Sequence, residues 1–203
     1  MRKLVMNAFL TLDGVIQAPG GPEEDTSGDF AYGGWSVNYW DDRVAEAMDN
    51  LMGKPFDLVL GRKTYEIFAA SWPHMTEEQG AKPMNDATKH VASHTLTSLE
   101  WKNSVLIEGD VVEALRGLKQ QDGPELQVHG SANLLQTLIR TNMIDEYHLK
   151  MFPVVVGSGK RLFEEGTVPA GLKLLDSTAS TTGVVISTYV PAGELVTGSF
   201  GAY

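Results

Sequence analysis

Residues 126–139 read LQVHGSANLLQTLI, and the order of their side chains decides the fold. Leu126–Gln127–Val128 is an extended apolar run, and His129–Gly130–Ser131 is a tight turn. Leu134, Leu135, Leu138 and Ile139 then recur at helical spacing. A strand that passes through glycine directly into a helix is the unit of a parallel sheet, because parallel neighbours need a crossover. The first amides of such a helix lack internal partners, and with the helix dipole they make an anion site fit for a pyrophosphate. From these residues alone the junction is either that site or a tight turn with Ser131 as its cap.

Working outward, Leu4 to Leu12 reads as a buried strand with Asp13–Gly14 as its turn, and Val15–Ile16 resumes an extended path. Residues 18–34, APGGPEEDTSGDFAYGG, are acidic, rich in Gly and Pro, and without periodicity; they read as a lid, a binding loop or a solvated surface loop. From Asp41 the period becomes helical, with Val44, Ala47, Met48 and Leu51 on one face and Gly53 after the end. Phe56 to Leu60 is a short strand, and Arg62 to Ala70 a short helix that Trp72–Pro73 breaks. His90 to Ser93 and Val105 to Ile107 are further strands, and Asp110 caps a helix carrying Val111, Ala114, Leu115 and Leu118. Tyr147, Leu149 and Met151 alternate with His148, Lys150 and Phe152. Lys173 to Ala179 and Val184 to Val190 close the chain as an antiparallel pair, the latter an edge or an interface. This order predicts an α/β fold: a central mixed, mostly parallel sheet, helices on both faces, and an antiparallel C-terminal edge. With no repeat and no linker, residues 1–203 read as a single domain.

Composition removes whole classes. The 203 residues are 42% hydrophobic and 21% charged, which excludes disorder and fibrous architectures. Without cysteine there is no disulfide framework, thiolate metal site or cysteine nucleophile. A net charge of −10 repels a phosphate backbone, so no nucleic-acid partner is expected. The apolar run after Met1–Arg2–Lys3 is broken by Asn7 and Thr11 and lacks a cleavage site, and no stretch approaches the roughly 18 apolar residues of a membrane span. A cytoplasmic protein that meets a small molecule and no membrane is expected.

Several motifs fail. Gly157–Ser158–Gly159–Lys160 is P-loop-like, but Val154 and Arg161 stand where the first glycine and the magnesium-binding hydroxyl belong. No GxGxxG follows the first strand, and neither HExxH nor GxSxG occurs. His90 and His94 read as polar strand-end residues, so no metal is expected. Gly61–Arg62–Lys63–Thr64 is a second strand-to-helix junction, with two cations in an acidic chain. Either it holds a phosphomonoester such as the 2′-phosphate of NADP, or it is a solvated basic turn. A dinucleotide has both groups to place, which favours the two junctions acting together.

Taken together, LTLDGVI at 10–16, DLVLGRKTYE at 57–66, KHVASHTL at 89–96, VHGSANLLQTL at 128–138 and IDEYHLKMFPVVVGSGKRLF at 144–163 give a resemblance that covers nearly the whole chain. The chain resembles the dihydrofolate-reductase-like superfamily, most closely the branch related to the C-terminal reductase domain of bifunctional riboflavin-biosynthesis deaminase/reductases. The resemblance implies a three-layer sandwich, NADPH as cofactor, a homodimer, and hydride transfer to a small heterocycle or a pterin- or flavin-precursor-like compound. It places Gly61, Arg62, Lys63 and Thr64 at the adenosine-phosphate corner, with Ser93 approaching the same 2′-phosphate. Gly130, Ser131, Ala132 and Asn133 fall at the pyrophosphate, the backbone of Ala8 and Phe9 against the nicotinamide amide, and Val155 to Gly159, including Gly157, in a loop near the cofactor.

The departures concern substrate. The carboxylate that dihydrofolate reductases carry on the first helix falls on Arg43 or Ala45, depending on loop alignment, and the Arg-rich loop for a ribitol phosphate is not evident. Hydride transfer also needs a proton source, for which Asp13, Asp41, Asp42 and Tyr65 are candidates; Asp13 could instead form its turn, and Asp41 or Asp42 could cap the helix. Trp35, Trp40 and Tyr65 are candidates to line the substrate pocket, where the tryptophans could stack on a planar ring. The main expectation is an NADPH-dependent reductase, and the alternative is a non-catalytic NADP(H)-binding protein on the same fold.

Overall fold

Along the first strand the side chains alternate between two cores. Leu4, Met6, Ala8 and Leu10 enter one apolar cluster, whereas Asn7 and Phe9 face the other way. This is β1, Leu4–Thr11, in a computed structural model that describes residues 1–77 and 80–201. The other strands are β2 Phe56–Gly61, β3 Lys89–Ala92, β4 Ser104–Leu106, β5 Glu125–Val128, β6 Glu146–Phe152, β7 Leu172–Ala179 and β8 Val185–Pro191. The α-helices are α1 Asp42–Met52, α2 Arg62–Ser71, α3 Ala81–Asp86, α4 Val111–Gln120 and α5 Ala132–Arg140.

The strands form one eight-stranded sheet in the order β4-β3-β2-β5-β1-β6-β8-β7, parallel from β4 to β6 and antiparallel from β6 to β7. Helices α4 and α5 bury Leu115, Leu134, Leu135 and Leu138 against Val59, Leu126 and Val128 on one face. On the opposite face, α2 and α3 pack Tyr65 and Met84 against Leu58 and Leu60, while α1 covers the polar side chains of Asn7 and Gln127. The result is the dihydrofolate-reductase-like three-layer sandwich expected from the resemblance.

Three features differ from the sequence reading. Residues 81–86 form α3, too short to show a period. Strand β8 lies between β6 and β7, so the outer edge is β7, whose eight residues are all exposed. The acidic loop at 18–34 has no helix or strand but is anchored. The Trp35 indole donates to Gln17 O at 2.8 Å, and Val15, Ala18 and Phe30 enter a third apolar cluster with Phe152. Among the described residues no helix is long and apolar enough to cross a membrane, and no group of three or more acidic, His or Cys side chains could hold a metal ion.

The outer part of the sheet depends on one buried cation. Lys89 has no exposed surface, and its ammonium donates to the carbonyls of Asn85 and Ala87 at 2.8 Å each and of Lys102 at 3.1 Å. It also sits 4.2 Å from the centre of the Trp101 ring. Burial pushes this lysine down to about 8, and nearby Lys102 adds to the shift. Lys89→Met leaves three carbonyls without their donor, and is expected to destabilise the fold by about 2–4 kcal/mol in urea melts at pH 7. A loss below about 0.5 kcal/mol would show that water replaces the ammonium at no cost.

Candidate functional site

Ligands of open α/β sheets lie beyond the carboxyl ends of the strands. Here a cleft of about 1180 Å³ opens at that edge, walled by the starts of α2 and α5, the loop after β3, one side of α1 and the loop at 17–25. Because β2 and β5 are neighbours, α2 and α5 begin side by side. The contact is close: a Cβ on Gly61 would stand 1.9 Å from Ser131 Oγ. A Cβ on Gly130, whose φ is +125°, would stand 2.9 Å from Thr64 Oγ1. The peptide between Gly130 and Ser131 is cis.

The helices differ in how they begin, and the short α3 starts at Gly80 with no side-chain cap. The carboxylates of Asp41 and Asp110 cap α1 and α4. Neither α2 nor α5 has a side-chain cap, although Ser131 occupies the cap position of α5. Their leading amides therefore face the cleft without a side-chain acceptor, as an anion site requires.

Of the residues expected at a cofactor, Ala8, Phe9, Gly61, Arg62, Lys63, Thr64, Ser93, Gly130, Ser131, Ala132 and Asn133 all line this cleft. Their partners refine the picture. Arg62 pairs with Glu66 one turn along α2, at 3.1 Å. Lys63 pairs with Asp25 of the loop at 2.9 Å, and Ser93 Oγ accepts from the amides of Thr95 and Leu96.

Other expectations are corrected. The Asp13 carboxylate accepts from Thr11 Oγ1 at 2.6 Å and from the amides of Gly157 and Val156, clasping two loops outside the cleft. The Thr11 hydroxyl and those amides hold it below the usual range despite partial desolvation, which suits an anchor and not an acid. Asp41 caps α1 and accepts from Thr181 and Thr182, and the Thr181 hydroxyl holds it far below the carboxylate range. Asp42 is exposed on the first turn of α1 and does not line the cleft. Tyr65 is buried in the core, its hydroxyl accepting from the Trp101 amide at 3.1 Å. Trp35 is buried against Phe152, ring centres 5.4 Å apart, so only Trp40 of the aromatic candidates reaches the cleft. Val155, Gly157 and Gly159 also fall outside it; Gly159 is packed against Val15 and Phe30, and it is Lys160 that reaches the wall.

The residues that sequence reasoning missed form the floor. Ala45, Met48, Asp49 and Met52 line the cleft from α1, a stripe at helical spacing that shares Met48 with the apolar face already recognised. Below them runs a chain of buried polar groups. Lys150, 1% exposed, donates to Asn7 Oδ1. Asn7 Nδ2 faces His129 Nδ1 at 3.3 Å, His129 Nε2 faces Gln127 Oε1 at 2.9 Å, and Gln127 Nε2 donates to Glu125 at 2.6 Å and to Leu51 O at 2.9 Å. An ammonium can only donate, so every orientation follows: Asn7 turns its NH₂ to the histidine, whose Nδ1 accepts and whose Nε2 carries the hydrogen. Burial, with nearby Lys150 and His148, pushes His129 down to about 3, and burial pushes Lys150 down to about 7. Asn7 and His129 line the main cleft, whereas Lys150 lines a smaller cavity of about 350 Å³ between α1 and strands β6 to β8.

Known proteins share this fold. The sequence pattern of the RibD C-terminal domain matches residues 2–186. Bacillus subtilis (strain 168) has an uncharacterized protein, YyaP, that is 25% identical over 193 residues, covering 93% of this chain and 94% of that protein. A crystal structure from Shewanella sp. PV-4, of a protein with a proposed role in riboflavin biosynthesis, superposes with a TM-score of 0.71 at 21% identity, covering 94% of this chain and 99% of the other. Dihydrofolate reductase from Enterococcus faecalis, complexed with NADP(H), superposes with a TM-score of 0.58 at 16% identity, covering 94% and 96%. At these identities the two structures show the shared fold.

Two outcomes test the site's construction. Gly61→Ala forces Ser131 away and is expected to destabilise by about 1–3 kcal/mol in urea melts, with most of the loss recovered by adding Ser131→Ala. No recovery would mean the two helix starts are not mutually positioned. Lys150 has a pKa of about 7 folded against the ordinary 10.5. Between those values the unfolded chain binds more protons, so the stability contribution rises with pH, by at most about 1.4 kcal/mol per unit. Melts from pH 6.5 to 9 should show this slope in the wild type and its loss in Lys150→Met; identical slopes would contradict the buried-cation assignment.

Proposed function

Because this chain belongs to the RibD C-terminal domain family, whose fold is of the reductase type, we propose that it is an NADPH-dependent reductase of a small heterocyclic, imine or carbonyl compound, pterin- or riboflavin-precursor-like in size. The observation that carries the reading is the pair of adjacent, glycine-led helix starts without side-chain caps, set on one cleft. A dinucleotide diphosphate suits that cradle, and glycine at 61 and 130 keeps it open.

When bound, NADPH supplies the hydride. The amides at Gly130 to Asn133 would hold the diphosphate, while Arg62, Lys63 and Ser93 would hold the 2′-phosphate; both bonds from Arg62 to Glu66 run from Nη1, which leaves Nε and Nη2 for that phosphate. The backbone of Ala8 and Phe9 orients the nicotinamide end. Trp40, 45% exposed and 5.8 Å from the Phe9 ring, offers a surface on which a planar substrate stacks. Asp49 is the carboxyl that α1 presents to the cleft, and it takes the part of proton donor. The exposed β7 edge, carrying Leu172, Leu174 and Leu175, supports a homodimer. The alternative, a non-catalytic NADP(H)-binding protein, draws on the commitment of Asp13, Asp41 and Tyr65 to structural bonds.

Quenching of tryptophan fluorescence on titration with NADPH and NADH tests the cofactor, and loss of NADPH absorbance over a panel of pterins, pyrimidines and quinones tests turnover. Tighter NADPH binding and turnover are expected, and Asp49→Asn is expected to lower kcat by about 10²-fold with NADPH affinity unchanged. Binding without turnover would favour the alternative, and no binding of either nucleotide would overturn both.

A further inference from the structure

The loop at 17–36 places a carboxylate on the cations that line the cleft. Asp25 accepts from Lys63 Nζ at 2.9 Å through one oxygen and from Lys160 Nζ at 2.5 Å through the other. Ser27 completes the cluster: its hydroxyl donates to Asp25 at 2.6 Å and lies 2.7 Å from Lys160 Nζ. Gln17 fastens the loop from behind, its Nε2 donating to the carbonyls of Asp25 and Ser27 at 2.9 Å and its Oε1 accepting from the Lys160 amide at 3.1 Å. Asp25, Lys63 and Lys160 all line the cleft, next to the uncapped helix starts.

Two ammonium groups and a hydroxyl converging on one pair of oxygens form a coordination shell that suits a phosphate as well as a carboxylate. The lysines are bound differently. Lys63 stands on the first turn of α2, whereas Lys160 comes from the loop after β6, more than ninety residues along the chain. Among the described residues it is Asp25 that brings their charges to a common point, with Ser27 beside Lys160. A phosphate arriving there meets the same donors, and the Asp25 carboxylate, now a like charge at contact, has to leave.

We propose that Lys63, Lys160 and Ser27 form a phosphate subsite of this cleft, in which Asp25 is the intramolecular competitor that holds the loop at 17–36 closed until a ligand phosphate displaces it. The proposal rests on the cleft being a nucleotide site and adds Lys160 as a phosphate ligand and Asp25 as the determinant of apparent affinity. The affinity of a site that is free only part of the time is reduced by that fraction, so removing the competitor raises it.

The test is a fluorescence titration of the full-length wild type, Asp25→Asn and Lys160→Gln with NADPH, NADH and ribose 5-phosphate at low salt, after urea melts have shown each variant folded. Asp25→Ser serves where Asp25→Asn does not fold. Removal of the carboxylate is expected to tighten binding about tenfold, and Lys160→Gln to weaken it about tenfold. A gain for NADPH alone assigns the subsite to the 2′-phosphate, a gain shared with NADH assigns it to the diphosphate, and a gain for ribose 5-phosphate alone assigns it to a substrate phosphate. If wild type binds NADPH and the Asp25 variant binds all three compounds equally or more weakly than wild type, the competitor is overturned while the cofactor reading stands. If no protein binds any of the three, both fall.

Discussion

The contact between Gly61 and Ser131 is the constraint on which the cleft depends. A hydroxyl oxygen stands less than a bond length and a half from where a side chain would begin. That distance is possible because β2 and β5 are neighbours in the sheet although 64 residues separate Gly61 from Glu125 in the chain. Sheet order thus sets the distance between two helix starts, and their separation sets what the cleft can hold. The reciprocal approach of Thr64 to Gly130 locks the same pair from the other side. Aspartates cap α1 and α4, at Asp41 and Asp110, whereas α2 and α5, like the short α3, begin with amides that no side chain caps.

Much of this was legible in the sequence because it is local. Apolar runs, alternation and helical spacing located the five longer strands and four helices, and the glycine junctions were visible as strand-to-helix turns. What was not legible is where a side chain points once its neighbours are in place. Asp13, Asp41 and Tyr65 are reactive residue types next to the right elements, and each is taken by a partner far along the chain: Gly157, Thr181 and Trp101. Conversely Asn7 and Gln127 interrupt apolar runs, and Lys150 takes its turn in an alternating strand. Only the sheet brings them together with His129, on the one face that α1 covers.

The antiparallel end of the sheet shows the same limit. Strand periodicity cannot distinguish an inner strand from an outer one when both are half polar, and here the inner one, β8, is the more apolar. Strand β7 pairs with β8 through a register irregularity between Leu174 and Asp176, which alternation along one strand does not reveal.

The buried chain from Lys150 to Glu125 has a property that no member has alone. Each link donates in the same direction, and each middle member uses one end as acceptor and the other as donor. Turning the Asn7 amide around would set its NH₂ against the ammonium and its oxygen against an unprotonated ring nitrogen, so it could turn only if the histidine exchanged tautomers and Gln127 turned with it. The three middle side chains therefore behave as one element with two settings, and the cation at one end and the carboxylate at the other both favour the same setting. The floor of the cleft is a one-way row of dipoles whose direction is stored in the charges at its ends.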